Sequence, residues 1–145
     1  MKRIAGILLV LAALLHAGGI HWEQDYKHAV AKAKQLHKPI FFVFSRHGCK
    51  WCGHLERTTF QNKKVISRLN DGFVNVIAYT DENDYVPREL WAPGTPALWF
   101  LSSDGTAMFQ PIQGAVGAED FLRAADIVTN EFNKQMIMKK YGSGK

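Results

Sequence analysis

Apolar and polar residues alternate along this chain with changing period, and the changes mark its elements. Residues 4–15 form an apolar run behind Met1-Lys2-Arg3. From position 21 the period becomes helical. Trp22, Tyr26, Ala29, Val30 and Ala33 share one face, and Lys27, Lys32 and Lys34 share another, so the spacing predicts a helix over 21–36. Pro39 disfavours helical geometry at Lys38 and closes it. Residues 40–44, Ile-Phe-Phe-Val-Phe, show no polar alternation, which predicts a strand covered on both faces. Residues 50–60 have helical composition, and Val65, Ile66 and Leu69 predict a further short helical turn closed by Asn70-Asp71-Gly72. Residues 73–79 read as the next strand, 80–87 as an acidic loop and 88–91 as a helical turn. Residues 97–101 then form a strand, Ser102-Ser103-Asp104-Gly105 a tight turn, and 106–112 the returning partner. The last helix is expected over 119–132, burying Phe121, Ala124, Ala125, Val128 and Phe132, with 136–145 as a frayed basic tail.

The first 20 residues have the layout of a signal peptide: a basic start, an apolar centre and a small-residue stretch, His16-Ala17-Gly18-Gly19. The apolar run holds 12 residues, short of the ~20 that span a bilayer, so an uncleaved anchor is the lesser reading. The expected division is a signal peptide over 1–19, cleaved after Ala17 or Gly19, and one domain over 20–145. That places the protein outside the cytoplasm, in the periplasm.

Composition adds little to this. The chain has 145 residues, 47% of them hydrophobic and 21% charged, as in an ordinary single globular domain, and it contains no internal repeat. The formal charge of +5 includes Lys2 and Arg3 of the leader, which leaves 16 basic against 13 acidic side chains. No cluster of Lys and Arg interleaves with aromatics, so nucleic acid is not an expected partner.

The chemistry lies in Cys49-Lys50-Trp51-Cys52, the chain's 2 cysteines. They stand where a strand hands over to a helix, and free backbone N–H groups at a helix start stabilise a thiolate. In an oxidising compartment such a pair can be a plain bridge. A bridge closing so small a loop is a poor staple, and a redox role is the stronger reading. His47 and His54 flank the pair and allow a copper or zinc ligand set to be imagined. Such a set needs both imidazoles to turn inward, whereas Gly48 points His47 outward, so both histidines are expected at the surface and no metal is assigned.

A strand ending in Cys49-Lys50-Trp51-Cys52 on a helix, Gly94-Thr95-Pro96 opening a hairpin, then Gly114 and a final helix together resemble the thioredoxin family. The resemblance covers most of 22–132. The run Trp22…Ala29…Ala33-Lys34…Lys38-Pro39-Ile40 is similar to that of small secreted thioredoxin-like proteins. It is also similar to the C-terminal domain of the periplasmic thiol:disulfide interchange reductases. The implied fold is α/β, a mixed central sheet with helices on both faces. The resemblance implies Cys49 as attacking thiol, Cys52 as resolving thiol and Pro96 as a cis-proline beside them, with the Thr95 backbone pairing to an extended substrate. Trp51, placed between the cysteines, is a candidate substrate contact, and Lys50 either favours the Cys49 thiolate or is a solvated charge. The buried aspartate that thioredoxin carries six residues before its first cysteine is replaced by Val43. Glu56, four residues past Cys52 and on its face of the helix, is a candidate replacement, since the interchange-reductase domain has an acid at this spacing.

The expected function is therefore an exported, monomeric thiol:disulfide oxidoreductase that needs no cofactor beyond the Cys49–Cys52 dithiol. It would reduce disulfides in other exported proteins and be recharged by a membrane thiol donor. The dipeptide Lys50-Trp51 matches neither thioredoxin's nor the periplasmic oxidant's, which leaves a dithiol oxidase or isomerase open. A non-catalytic copper-handling module on the same fold is the alternative from another class.

Overall fold

The computed structural model describes residues 18–142; most of the expected signal peptide therefore lies outside the described residues. Among the described residues, four helices and four strands follow in the order α1 (Tyr26–Leu36), β1 (Ile40–Ser45), α2 (Lys50–Arg57), α3 (Lys63–Gly72), β2 (Val74–Tyr79), β3 (Ala97–Leu101), β4 (Ile112–Gln113) and α4 (Ala118–Gly142). Single 3-10 turns at Thr59–Gln61 and Arg88–Leu90 punctuate the chain. The sheet runs β2-β1-β3-β4, with β1 and β2 parallel and the other neighbours antiparallel.

β1 is central, and its residues alternate between two cores. Ile40, Phe42 and Phe44 pack with Ala29 and Ala33 of α1, Val74, Val76 and Ala78 of β2, and Leu90. Phe41 and Val43 pack on the opposite face with Leu55 of α2, Val65 and Leu69 of α3, and Phe121, Ala125 and Val128 of α4. A strand covered on both faces has no polar position to show, which is why β1 reads as a continuous apolar run.

The first helix is shorter than its spacing predicts. Asp25 caps it, its carboxylate accepting from the His28 N–H at 2.9 Å, so helical geometry begins at Tyr26 and not at 21. Trp22 leaves that face altogether. It bridges to Asn75 at the sheet edge, and its ring meets Phe41 and Phe60 on the other core, with centroids 6.3 and 5.6 Å apart. Asn70 ties this entry segment to α3, its Oδ1 accepting from the His21 N–H at 2.8 Å and its amide donating to the Gly19 carbonyl at 3.2 Å.

The returning strand of the hairpin is also shorter than expected. Leu101 bridges Ala107 near the turn, but the ladder resumes only at Leu98↔Ile112 and Ala97↔Gln113. Between these pairs four residues of the return, 108–111, oppose two of β3, Trp99 and Phe100, and the surplus bulges out around Phe109-Gln110-Pro111. Pro111 has no N–H to give to the ladder. At the turn, Gly105 has φ +90° and the Tyr26 hydroxyl donates to its carbonyl at 3.2 Å, a conformation and an approach that suit glycine. The last helix departs in the other direction: it is helical through Met136 to Gly142, where a frayed tail is expected.

Candidate active site

Sheet register brings the site together. Phe44 near the end of β1 pairs with Ala97 at the start of β3, so the loop leaving β1 and the loop entering β3 meet at one end of the sheet. Ser45 pairs with Tyr79, which sets the loop leaving β2 on the other side.

The loop after β1 turns at Gly48, φ +71°, and delivers Cys49 as the N-cap of α2. The Cys49 Sγ accepts from the Cys52 N–H at 3.2 Å, so one of the free donors of the first turn of the helix is aimed at this sulfur. The two cysteines are joined in a disulfide. Cys49 is half-exposed, whereas Cys52 is buried at 3% exposure against the α2 side of the sheet. The sulfurs are therefore unequal: an incoming group reaches Cys49 first.

The loop before β3 closes over the pair. Cys49 Sγ lies 3.5 Å from the Thr95 carbonyl oxygen and 3.4 Å from the Thr95 hydroxyl. The Thr95–Pro96 peptide bond is cis, and Pro96 is buried with its carbonyl accepting from the Gly114 N–H at 2.8 Å. Trp51 is 54% exposed beside the sulfurs, with Lys50 Nζ 5.5 Å from its ring centroid and His54 edge-on at 5.7 Å. Lys50 thus has an aromatic partner for its charge.

Val43 is buried among apolar neighbours beneath α2, with Leu55 in the same cluster. Glu56, one turn past Cys52, is half-buried and borders a separate cavity of about 290 Å³ with Trp22, Phe60, Ile77 and Tyr79. Its charge is felt at Tyr79, whose phenol is pushed up first by burial and then by Glu56, Glu82, Asp81 and Asp84.

His47 lies at the surface, 52% exposed, as its sequence context predicts, and there it meets the loop after β2. Its backbone N–H donates to Asp81 Oδ1 at 3.1 Å, and Nδ1 lies 3.2 Å from Asp81 Oδ2. Nε2 lies 3.5 Å from Glu82 Oε1, and the ring stacks on Tyr79 with centroids 4.0 Å apart. The hydrogen bond from the His47 backbone is the leading cause that holds the Asp81 carboxyl below its usual range. The acidic loop after β2 is thereby fastened to the cysteine loop two residues before Cys49. The Ser45↔Tyr79 register is the reason, and it is visible only once β1 and β2 are known to pair. Among the described residues, no group of three or more His, Cys, Asp and Glu side chains is arranged to hold a metal ion.

A two-cysteine helix tip facing a Thr-Pro loop, on a mixed four-stranded sheet with helices on both faces, defines the thioredoxin fold. Residues 26–129 match the thioredoxin-like domain, and the chain belongs to that family. Among solved structures it is similar to the DsbH oxidoreductase (TM-score 0.66, 19% identity, covering 87% of this chain and 95% of that one). It is similar to a thioredoxin from Thermus thermophilus (TM-score 0.63, 20% identity, 88% and 95%). The reduced C-terminal domain of Neisseria meningitidis DsbD is similar at TM-score 0.57 and 23% identity, over 69% of this chain and 90% of that domain. At these identities the likeness is one of fold. In sequence, spermatogenesis-associated protein 20 of Rattus norvegicus is 33% identical over 99 residues, 66% of this chain and 12% of that protein. An uncharacterised protein of Caenorhabditis elegans is 34% identical over 110 residues, 70% and 14%. The chain thus spans about an eighth of the length of the curated relatives it matches. Family, fold and the Cys49–Cys52 pair support a thiol–disulfide oxidoreductase.

Proposed function

We propose that the chain is an exported thiol–disulfide reductase that acts on disulfides in other exported proteins. The observation that carries the reading is the inequality of the two sulfurs. Cys49 is half-exposed at the helix start, facing the Thr95 oxygens, and Cys52 is buried behind it. In the reduced protein, the Cys49 thiolate attacks one sulfur of a substrate disulfide and the other substrate sulfur leaves as thiolate. Cys52, deprotonated, then attacks Cys49 Sγ and expels the remaining substrate thiolate. Two electrons pass to the substrate, and the chain ends as the Cys49–Cys52 disulfide.

Trp51 and the Thr95 backbone contact the substrate, Pro96 shapes the loop that presents Thr95, and Glu56 accepts the Cys52 proton. A reductant outside the cytoplasm must be recharged, so a membrane donor with its own cysteine pair returns the two electrons. The apolar run at 4–15 behind two basic residues supports export.

The reduction potential of the pair, measured against glutathione buffers, tests the direction. A value near about −270 mV supports a reductant, and one near about −120 mV assigns an oxidant instead. Turnover of insulin disulfides in the absence of metal separates either enzyme from a copper-handling module.

A further inference from the structure

We propose that the far half of α4 is a membrane-surface element, its solvent-facing stripe from Ile127 to Tyr141 seating on an anionic lipid surface. This inference is independent of the direction of electron flow and of the redox reading itself. The last core residue of α4 is Phe132, yet the helix continues to Gly142. Four large apolar side chains on it, Ile127, Ile137, Met138 and Tyr141, are between 59% and 73% exposed. At 100° per residue these four and Lys134 fall within one arc of about 100°, and the stripe is about 21 Å long. A helix face that only meets water has no reason to carry them.

Charge says what covers the stripe. The acids of α4, Glu119, Asp120, Asp126 and Glu131, all precede Phe132, whereas the charged side chains beyond it are Lys134, Lys139 and Lys140. Asp120 and Asp126 are paired with Arg123 and Arg68, and Glu131 accepts from the Gln135 amide at 3.1 Å. Lys140 Nζ lies 5.6 Å from the Tyr141 ring centroid at one border of the stripe. Lys139 falls about 150° from the middle of the stripe, on the side of α4 that faces the protein body, where it favours the Asp104 carboxylate. An apolar stripe with Lys134 within it and Lys140 at one border suits the boundary between acyl chains and anionic headgroups, where lysine stems lie on the apolar layer and their ammonium groups reach the phosphates.

A second copy of the chain suits it less. Lys134 lies midway between Ile127 and Tyr141. Self-pairing of the stripe, parallel or antiparallel, therefore sets Lys134 against Lys134 at its centre.

The test is co-sedimentation of the full-length chain with vesicles of phosphatidylcholine alone or with about 30 mol % phosphatidylglycerol, at about 50 and 500 mM salt. Two variants accompany it, Ile137→Glu/Met138→Glu and Lys134→Gln/Lys140→Gln. Every protein keeps residues 1–20, so any affinity of the apolar run at 4–15 is common to all and the readout is the difference among them. The wild type is expected to bind anionic vesicles about tenfold more than neutral ones, to lose this at high salt, and to lose about tenfold in each variant. Both variants change exposed positions and should keep the far-ultraviolet circular dichroism of the wild type. Should the glutamate variant fail to fold, the lysine variant decides alone. Equal binding to both vesicles, or binding unchanged in a folded variant, overturns the proposal. A concentration-dependent dimer in sedimentation velocity that disappears in Ile137→Glu/Met138→Glu overturns it in favour of a second copy.

Discussion

The sulfur of Cys49 lies 3.5 Å from the main-chain carbonyl oxygen of Thr95 and 3.4 Å from the hydroxyl of the same residue, across 46 positions of sequence. The contact follows from strand order. β1 and β3 are antiparallel neighbours, so the residues just after β1 and just before β3 must share one end of the sheet. The two oxygens act oppositely on a reactive sulfur. A carbonyl accepts only from the thiol, whereas a hydroxyl donates to the thiolate.

Removing the hydroxyl while keeping the shape therefore has a directional effect. In Thr95→Val the attack of reduced Cys49 on a model disulfide should slow by roughly three- to tenfold at pH 7, the scale of one ordinary hydrogen bond. The difference should close at high pH, where Cys49 is thiolate in both proteins. Stopped-flow rates from pH 5 to 10 check this, and a deficit that persists unchanged at the alkaline end would assign Thr95 to shape alone.

The unequal exposure of the sulfurs makes a second expectation. Cys52→Ser leaves the reachable thiol in place and removes the group that releases it, so mixed disulfides with substrate should accumulate. Cys49→Ser leaves only a thiol that is 3% exposed, and should trap at least about tenfold less. Alkylation followed by non-reducing electrophoresis measures both, and equal trapping by the two variants refutes the assignment of roles.

Much of this arrangement is legible in the sequence, and each exception has its own physical cause. β1 was plain because both of its faces are buried, so five consecutive apolar residues stand between Pro39 and Ser45. The cysteine helix was plain because Cys49 begins it. Trp22 was misplaced because helical spacing continues past the residue that caps the helix. Asp25 starts α1, and Trp22 belongs to the opposite core, which a one-dimensional period does not separate. The return strand was overextended because alternation alone does not register a missing N–H at Pro111. The surface position of His47 is legible, but its partners are hidden for a third reason: Asp81 and Glu82 become its neighbours only through the parallel pairing of β1 with β2. Local propensity reads elements well and reads contacts between loops poorly, because the sheet creates those contacts.

The hairpin turn offers a test of pH dependence. The Asp104 carboxyl is held down to about 2, first by the Ser102 hydroxyl and then by the Thr106 backbone N–H, which donates to Oδ1 at 3.0 Å. A folded-state value below the unfolded ~3.9 means that ionised Asp104 stabilises the fold above about pH 4, and that this is lost as pH falls towards 2. The turn is exposed, so solvent screening limits the contribution to about 0.5–1 kcal/mol. Asp104→Asn should be less stable than the wild type by about that amount from pH 5 to 8. The gap should narrow steadily below pH 4 in urea titrations. A gap that stays constant down to pH 2.5 would place the effect in shape and not in charge.

The last prediction concerns the proton on Cys52. To release the substrate, Cys52 must attack Cys49 Sγ as a thiolate, yet it is buried, and burial disfavours the charged form of a thiol. A base must take the proton. Val43, directly beneath the cysteine helix, has no group for it and is packed among Leu55 and other apolar neighbours. Tyr79 is unsuited, because burial and the Glu56 charge push its phenol up and keep it protonated at neutral pH. Glu56 remains, one helical turn past Cys52 on the same side of α2 and half-buried at the edge of a cavity that can admit water. Glu56→Gln keeps size and hydrogen bonding but accepts no proton. It should slow resolution of the mixed disulfide by roughly a hundredfold, the lower end for loss of a general base, and leave the first attack by Cys49 within about twofold. Tyr79→Phe, beside it, should leave both steps within about twofold, since a protonated phenol takes no proton. Single-turnover rapid-quench measurements from pH 5 to 9 follow the mixed disulfide as it forms and decays, and so separate the steps. A resolution rate and pH profile unchanged in Glu56→Gln would return this glutamate to a structural place at the cavity edge and leave water as the acceptor of the Cys52 proton.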